Sequence, residues 1–270
     1  MTPRLHPSEE SFPMKASITK NKALKIISVL ISAVFWTALW EFLALAVDRE
    51  LLLPSPVTTA KKLFELAGTL SFWKTAGMSL LRIAAGFLCG SLAGTLLAVL
   101  TAASKIFDTL FSPVGTVIRA TPVASFIILA LVWLKASNVP SFISFLMVTP
   151  IVWNALKTAI SDTDRELLET ARAYRIGIKK TVTMVYLPSV LPQYAAALIT
   201  SLGLAWKSGV AAEVLCHPKL SVGTMLYESQ IYLETADLFA WTAAVIMLSV
   251  IMEKSFDFLL KKLTKGRSCV

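Results

Sequence analysis

The chain has 270 residues, of which 56% are hydrophobic and 16% charged, whereas soluble domains run at roughly 45–50% apolar and about 25% charged. An excess of that size cannot be hidden in one soluble core, so an ordinary soluble domain is excluded. The net charge of +9 would be compatible with nucleic acid, but the basic residues cluster at the ends of apolar runs and form no soluble face, which excludes a nucleic-acid partner. Three widely spaced cysteines (Cys89, Cys216, Cys269) and two histidines (His6, His217) have neither disulfide-framework nor metal-ligand spacing.

In chain order, a polar, basic tail over 1–25 precedes an apolar run over 26–47 with no small-residue cleavage pattern after it. It reads as a retained first span and not as a signal peptide. Further runs predict spans over about 79–103, 106–134 (interrupted), 138–157, 185–210 and 236–260, long enough, with their flanks, for the roughly 17–25 residues a crossing helix needs. The fold class is therefore all-α: a polytopic membrane protein of six transmembrane helices over 26–262, with a polar loop over 160–184 and a short tail over 263–270. Seventeen of the 26 basic residues fall on the side of both termini: five in the N-tail (Arg4, Lys15, Lys20, Lys22, Lys25), Lys105, six from Lys157 to Lys180, and five in the C-tail (Lys254, Lys261, Lys262, Lys265, Arg267). Positive-inside bias makes that side cytoplasmic.

The first outer loop, LLLPSPVTTAKKLFELAGTL, stops the first span at Pro54 and Pro56 and predicts a short surface helix or a plain linker. In the second span Gly86, Gly90 and Gly94 form GFLCGSLAG, two overlapping small-xxx-small steps that let two helices approach closely in lipid. The third span is interrupted by Pro113, Gly115 and Pro122, with Arg119 among them. Broken backbone at membrane depth belongs where protein buries it or a cavity meets it. A charge there marks a functional site, or an Arg that snorkels or pairs locally. Trp36, Trp40, Trp73 and Trp241 read as interfacial anchors.

The loop after the fourth span reads TDRELLETARAYRIGIKKTVTMVYLPSVLP from Thr163. Thr163 and Glu166 make a capping-box pattern, with Asp162 and Asp164 adding negative charge at a helix start. Leu167, Ala171, Tyr174 and Ile178 then share one helical face and Arg165, Glu169 and Arg172 another. The helix is expected to end near Gly177, with Pro188 and Pro192 opening the fifth span. An amphipathic helix too polar to span either lies on the lipid surface or docks in a partner's groove.

The residues here carry a resemblance to bacterial ABC importer permeases, whose signature is Glu-Ala-Ala, three residues, Gly, nine residues, Ile, one residue, Leu-Pro. Glu169, Thr170, Ala171, then Val185, Leu187 and Pro188 stand at that spacing. Thr170 replaces the first Ala, and Arg175 stands where the Gly belongs, with Gly177 two positions on, so the bend is expected to shift. The likeness extends from about Leu51 to Lys262 and is nearest to the nitrate/sulfonate/taurine group, through LPSPVTTAKKLFEL, SLLRIAAGF, IRATPVASFIILALVWL and AWKSGVAAEVL.

That resemblance implies the type I importer permease fold in a bacterial inner membrane, working as two copies, most simply identical ones. It implies ABC ATPase subunits on the cytoplasmic side, which hold the ATP and magnesium, and a substrate-binding protein on the other side. The loop becomes a coupling helix seated in the ATPase, with Thr163, Glu166, Glu169, Thr170, Ala171, Arg172, Tyr174, Arg175, Gly177, Leu187 and Pro188 as the handle. In the fifth span Ser201, Trp206 and Lys207, then Glu213, gather polar groups towards the outer half. With Arg119 and Pro122 these are candidates for the path of a small anionic solute, or for holding spans together.

The chain has no Gly-x-x-x-x-Gly-Lys-Ser/Thr phosphate loop, so it is expected to hydrolyse no ATP and to carry no cofactor of its own. The alternative is an ion- or proton-coupled secondary transporter, which would call for interrupted spans in both halves and a membrane carboxylate. Only Glu41 lies within a long apolar run. A membrane enzyme would need a cluster of nucleophile, base or metal ligands, and none can be assembled.

Overall fold

The computed structural model describes residues 16–265, all of whose regular elements are helical; Arg4, Lys15 and Arg267 lie outside them. The chain divides into two units, residues 1–58 and 59–270. In the first, α1 (Ala16–Val47) is apolar on all sides from Ile27 onward except at Glu41, the composition of a lipid-facing helix. Trp40 Nε1 donates to the Pro54 carbonyl across the following turn at 3.1 Å.

The second unit is built on α3 (Leu70–Ala103), α6 (Val139–Ser161) and α9 (Leu187–Cys216). The short surface helix of the outer loop is α2 (Pro56–Ala67), opened by Pro56 at its first position. The second span starts nine residues earlier than expected, because Thr69 caps α3 by accepting from the Phe72 N–H at 3.3 Å.

Between α3 and α6 the backbones are nearly in contact. A Cβ on Gly90 would lie 2.8 Å from the Phe145 carbonyl and one on Gly94 2.7 Å from that of Thr149, while Gly86 meets Ser141. Advancing four residues on each helix together, these contacts show that α3 and α6 run parallel in one register. Ser144 Oγ donates to the Ala205 carbonyl at 3.1 Å, and Thr95 pairs with Tyr194 at 2.9 Å, fastening α9 to the pair. Ile83, Phe87, Val148, Val152, Leu202 and Trp206 fill the space among the three helices.

The third span is broken at one place only. α4 (Lys105–Ala120) runs unbroken through Pro113 and Gly115, and α5 (Val123–Trp133) leaves it at 107° across Thr121 and Pro122. Proline disfavours helical backbone in the residue before it, and Thr121 is accordingly extended. Gly115 instead serves contact, since a Cβ there would come within 2.7 Å of the Trp153 ring. Lys157 on α6 pairs with Asp108 on α4.

The fifth span begins at Ile178, earlier than expected: α8 (Ile178–Thr181), a π-helical turn over Val182–Tyr186 and α9 are continuous. Pro188 therefore lies inside the span and does not open it. The π turn, in which the Leu187 N–H reaches back to the Val182 carbonyl, re-sorts the backbone bonds just before a residue that has no N–H to give.

α10 (Val222–Ile231), which sequence reasoning missed, follows α9 and leads to α11 (Thr235–Lys265). It packs with Phe72, Ala76, Trp241 and Ala244. Trp241 is thus buried and stacked on Phe72 at 5.0 Å and is no interfacial anchor, whereas Trp73 is exposed.

Close approach makes a sharp stability contrast within α3. Gly90→Leu, which drives a side chain into the Phe145 carbonyl, is expected to lower the thermal unfolding midpoint of the purified chain, through a loss of about 3 kcal/mol or more. Gly77→Ala, with nothing within 4 Å of its new methyl, is expected to raise it through a gain of about 0.5–1 kcal/mol.

Candidate functional site

Two regions concentrate polar chemistry, one at each end of the α3–α6–α9 bundle. At the end carrying α7 (Arg165–Ala173), the sequence start Asp164-Arg165-Glu166 sets a helix by local capping: Asp164 Oδ1 accepts from the Glu166 N–H at 2.9 Å. The cap is therefore Asp164 and not Thr163. Thr163 is buried and donates its hydroxyl to the Ala159 carbonyl at 3.2 Å, so it extends the last turn of α6 and leaves the next residue to begin α7.

The far end of α7 is a Schellman turn. Ile176 N–H bonds the Ala171 carbonyl at 2.9 Å and Arg175 N–H the Arg172 carbonyl at 3.0 Å. That pattern puts one residue in the left-handed region, and it is Arg175, with φ 49°. The bend thus stays at the position where the resembled signature has Gly and is not shifted to Gly177, whose φ is −63°. A side chain with a Cβ in this conformation costs roughly 1–2 kcal/mol relative to glycine.

The helix ends at Ala173 and not near Gly177, so the expected single apolar face is divided: Leu167 and Ala171 lie on α7, and Tyr174 and Ile178 lie beyond it. Ala171 is buried, but Leu167 is 49% exposed, Tyr174 78% and Ile178 84%. Glu166, Glu169, Thr170, Arg172, Arg175 and Gly177 are exposed as well, as are Leu187 and Pro188 at the start of α9.

At the other end the structure assembles a buried polar knot that the sequence did not announce. Glu213 is fully buried; its Oε2 accepts from Ser79 Oγ at 2.8 Å and from the Gly223 N–H at 3.2 Å. Ser79 Oγ accepts in turn from the Val222 N–H at 2.9 Å. Arg82 Nη1 stands 3.7 Å from Glu213 Oε1, and the same guanidinium donates to the carbonyls of Leu220 at 3.0 Å and Lys219 at 2.8 Å. Two non-glycine residues of the intervening turn, His217 and Leu220, adopt left-handed backbone. One carboxylate and one guanidinium so tie α3, the end of α9 and the start of α10. A serine and an arginine three residues apart on α3 were the available signal, since that spacing aims both at one neighbour.

The candidate path residues are divided by the period of α9. Ser201, Trp206 and Glu213 face inward: Ser201 Oγ donates to the Leu198 carbonyl at 3.0 Å and Trp206 Nε1 to the Val245 carbonyl of α11 at 3.2 Å. Lys207, one residue on, lies on the opposite, exposed stripe with Thr200, Leu204, Ala211 and Leu215. Lys207 and Glu213 are therefore not brought together; Glu213 takes Arg82 as its partner. Arg119 is exposed at the end of α4, its Nε donating to the Gly115 carbonyl at 3.2 Å, and Pro122 is exposed at the break. A second membrane carboxylate appears on α11, where Glu253 accepts from Ser249 Oγ at 3.3 Å and lies against Gly203.

Glu213→Ala is expected to cost about 2–4 kcal/mol by leaving the buried Gly223 N–H and Ser79 hydroxyl without their acceptor and Arg82 without its counter-charge, read as a lowered unfolding midpoint in detergent. Combining it with Arg82→Ala should cost much less than the two single changes added together, the mark of a coupled pair. Arg175→Gly is expected to stabilise the chain by about 1 kcal/mol in the same assay.

Known proteins resemble the chain over most of its length. The family profile described as "Binding-protein-dependent transport system inner membrane component" matches residues 86–267. SsuC of Bacillus subtilis, provisionally named as an aliphatic sulfonates transport permease, is 26% identical over 86% of this chain and 84% of its own. The taurine transport system permease protein TauC of Escherichia coli is 22% identical over 88% of each chain. The nitrate import permease protein NrtB of Synechococcus elongatus is 26% identical over 80% of each. Among solved structures, an amino acid ABC transporter aligns over 70% of this chain and 90% of its own with TM-score 0.56 at 18% identity. An inward-facing MetNI methionine ABC transporter aligns over 71% and 94% with TM-score 0.56 at 18% identity. By the profile match and the fold it shares, the chain belongs to the binding-protein-dependent transport system inner membrane components, the multi-pass permease subunits of ABC importers.

Proposed function

We propose that this permease forms the path for a small anion of the nitrate, sulfonate or taurine kind, received from a binding protein outside and moved by two ATPases bound beneath α7. Two identical copies enclose the path, both termini face the cytoplasm, residues 26–262 form the transmembrane domain and 160–184 its coupling loop. The observation that carries the coupling role is the exposure of Leu167 on a helix capped at both ends by its own residues, and of Tyr174 and Ile178 just beyond it. A rigid helix whose apolar side its own chain does not cover is fitted to enter a groove on another protein. Glu169, Thr170 and Ala171 stand at the signature spacing, with Ala171 buried and Glu169 exposed.

The anionic cargo is supported by the transport roles in the relatives' names, sulfonates, taurine and nitrate, and by Lys207 and Arg119, cations on faces this chain leaves open. Cations at membrane depth are costly unless they meet water, a partner or a ligand. Glu213, Trp206 and Ser201, each engaged in packing, serve as the frame of the path and not its lining. ATP and magnesium belong to the partner ATPases.

Glu169→Lys is expected to abolish import while the permease keeps its unfolding midpoint, because an exposed residue is changed. Import measured in proteoliposomes with the ATPase and binding protein, alongside binding of the ATPase, checks it; undiminished import would remove the coupling role. Lys207→Gln is expected to lower import of the anion about tenfold or more with assembly intact. Equal import by the two chains would return Lys207 to a packing role.

A further inference from the structure

Arg175 has no reason within its own chain to be an arginine. It occupies the left-handed position of the Schellman turn, where glycine is unstrained. Its side chain is exposed and makes no hydrogen bond or ion pair with any described residue. The strain is therefore not offset inside the permease.

Its surroundings indicate what offsets it. From Thr170 to Met184 the chain has no Asp or Glu, but it has four cations, Arg172, Arg175, Lys179 and Lys180, all exposed. The opposite end of the same loop carries Asp162, Asp164, Glu166 and Glu169, also exposed, with Arg165 among them. The loop is thus polarised along its length, and the uncovered Tyr174 and Ile178 lie at the cationic end. Anionic lipid headgroups would meet such cations but would repel the acidic half of the same loop, whereas an oppositely polarised groove on a protein meets both halves, and the Schellman turn sets where the Arg175 side chain leaves the backbone towards it.

Resting on the coupling reading of α7, we propose that Arg175 is a partner-recognition residue. It pairs with a carboxylate at one end of the ATPase groove, and that groove is acidic at the end receiving residues 172–180. Pairing of the polarised loop with an oppositely polarised groove sets the direction in which α7 lies and which ATPase this permease accepts.

The test uses the full chain in phosphatidylcholine nanodiscs and the separately expressed ATPase that supports import by the wild-type permease. Affinity is measured at about 50 mM and about 500 mM salt for wild type, Arg175→Gly, Arg175→Glu and Glu169→Lys, with the unfolding midpoint of each. The expected result is opposite signs for Arg175→Gly: a higher midpoint, but affinity about fivefold to tenfold weaker at low salt. Arg175→Glu should be weaker still, and the differences should shrink at high salt. Arg175→Gly binding as tightly as wild type at both salts, while Glu169→Lys fails to bind, overturns the role of Arg175 and leaves the coupling helix standing. A wild-type chain that does not bind the ATPase removes both. An effect of Arg175 that appears only in phosphatidylglycerol nanodiscs, without ATPase, overturns the proposal in favour of a headgroup contact.

Discussion

In a bilayer the tails surrounding a helix are as apolar as its own leucines, so burial against a neighbour gains little from the hydrophobic effect, and close packing must supply the association. The approach of α3 to α6 meets that requirement. Gly86, Gly90 and Gly94 remove three side chains from one face, so the α6 carbonyls of Ser141, Phe145 and Thr149 lie where Cβ atoms would stand. Since contact advances by one turn on both helices at once, the register of the two is fixed along their length. Two further helices of the same unit are fastened to this pair: α9 through Ser144, Thr95 and the core around Trp206, and α4 through Gly115 and the Lys157–Asp108 pair.

The knot around Glu213 completes that frame at one end by a different kind of interaction. A buried carboxylate is tolerable only when its oxygens are met by donors and its charge by an opposite one. Ser79 and the Gly223 N–H meet one oxygen, and Arg82 stands by the other. Because Arg82 also holds the carbonyls of Lys219 and Leu220, the turn with its two left-handed residues is set by α3 and not by its own sequence. That turn, α10 and the end of α9 are therefore expected to move with α3 as one body when the permease changes shape.

At the opposite end the α7 loop follows local chemistry. Asp164 starts the helix, the Schellman turn stops it, and the continuous run from Ile178 through the π turn leads into α9. The helical run into α9 begins only at Ile178, so Tyr174 to Gly177 form the joint between α7 and the span that carries both the Lys207 stripe and Glu213.

The sequence by itself left α2 open between a short helix and a linker, and it determined the class, the long apolar helices, the glycine face and the place of α7 after the fourth span. Each of these rests on composition, helical period or short-range backbone chemistry, which neighbouring residues dictate. It misplaced what depends on competition between nearby options: Thr163 against Asp164 as cap, Gly177 against Arg175 as the left-handed residue, Pro188 as the start of a span against a π turn that absorbs it. The tertiary structure alone decided which polar residues belong together. Glu213 finds Arg82, 131 positions away, because α3 and α9 both face α6. Lys207 and Trp206, adjacent in sequence, part because the helical period turns them by about 100°. Long-range pairing in a bundle follows from which helices touch, and no local pattern in the chain encodes that.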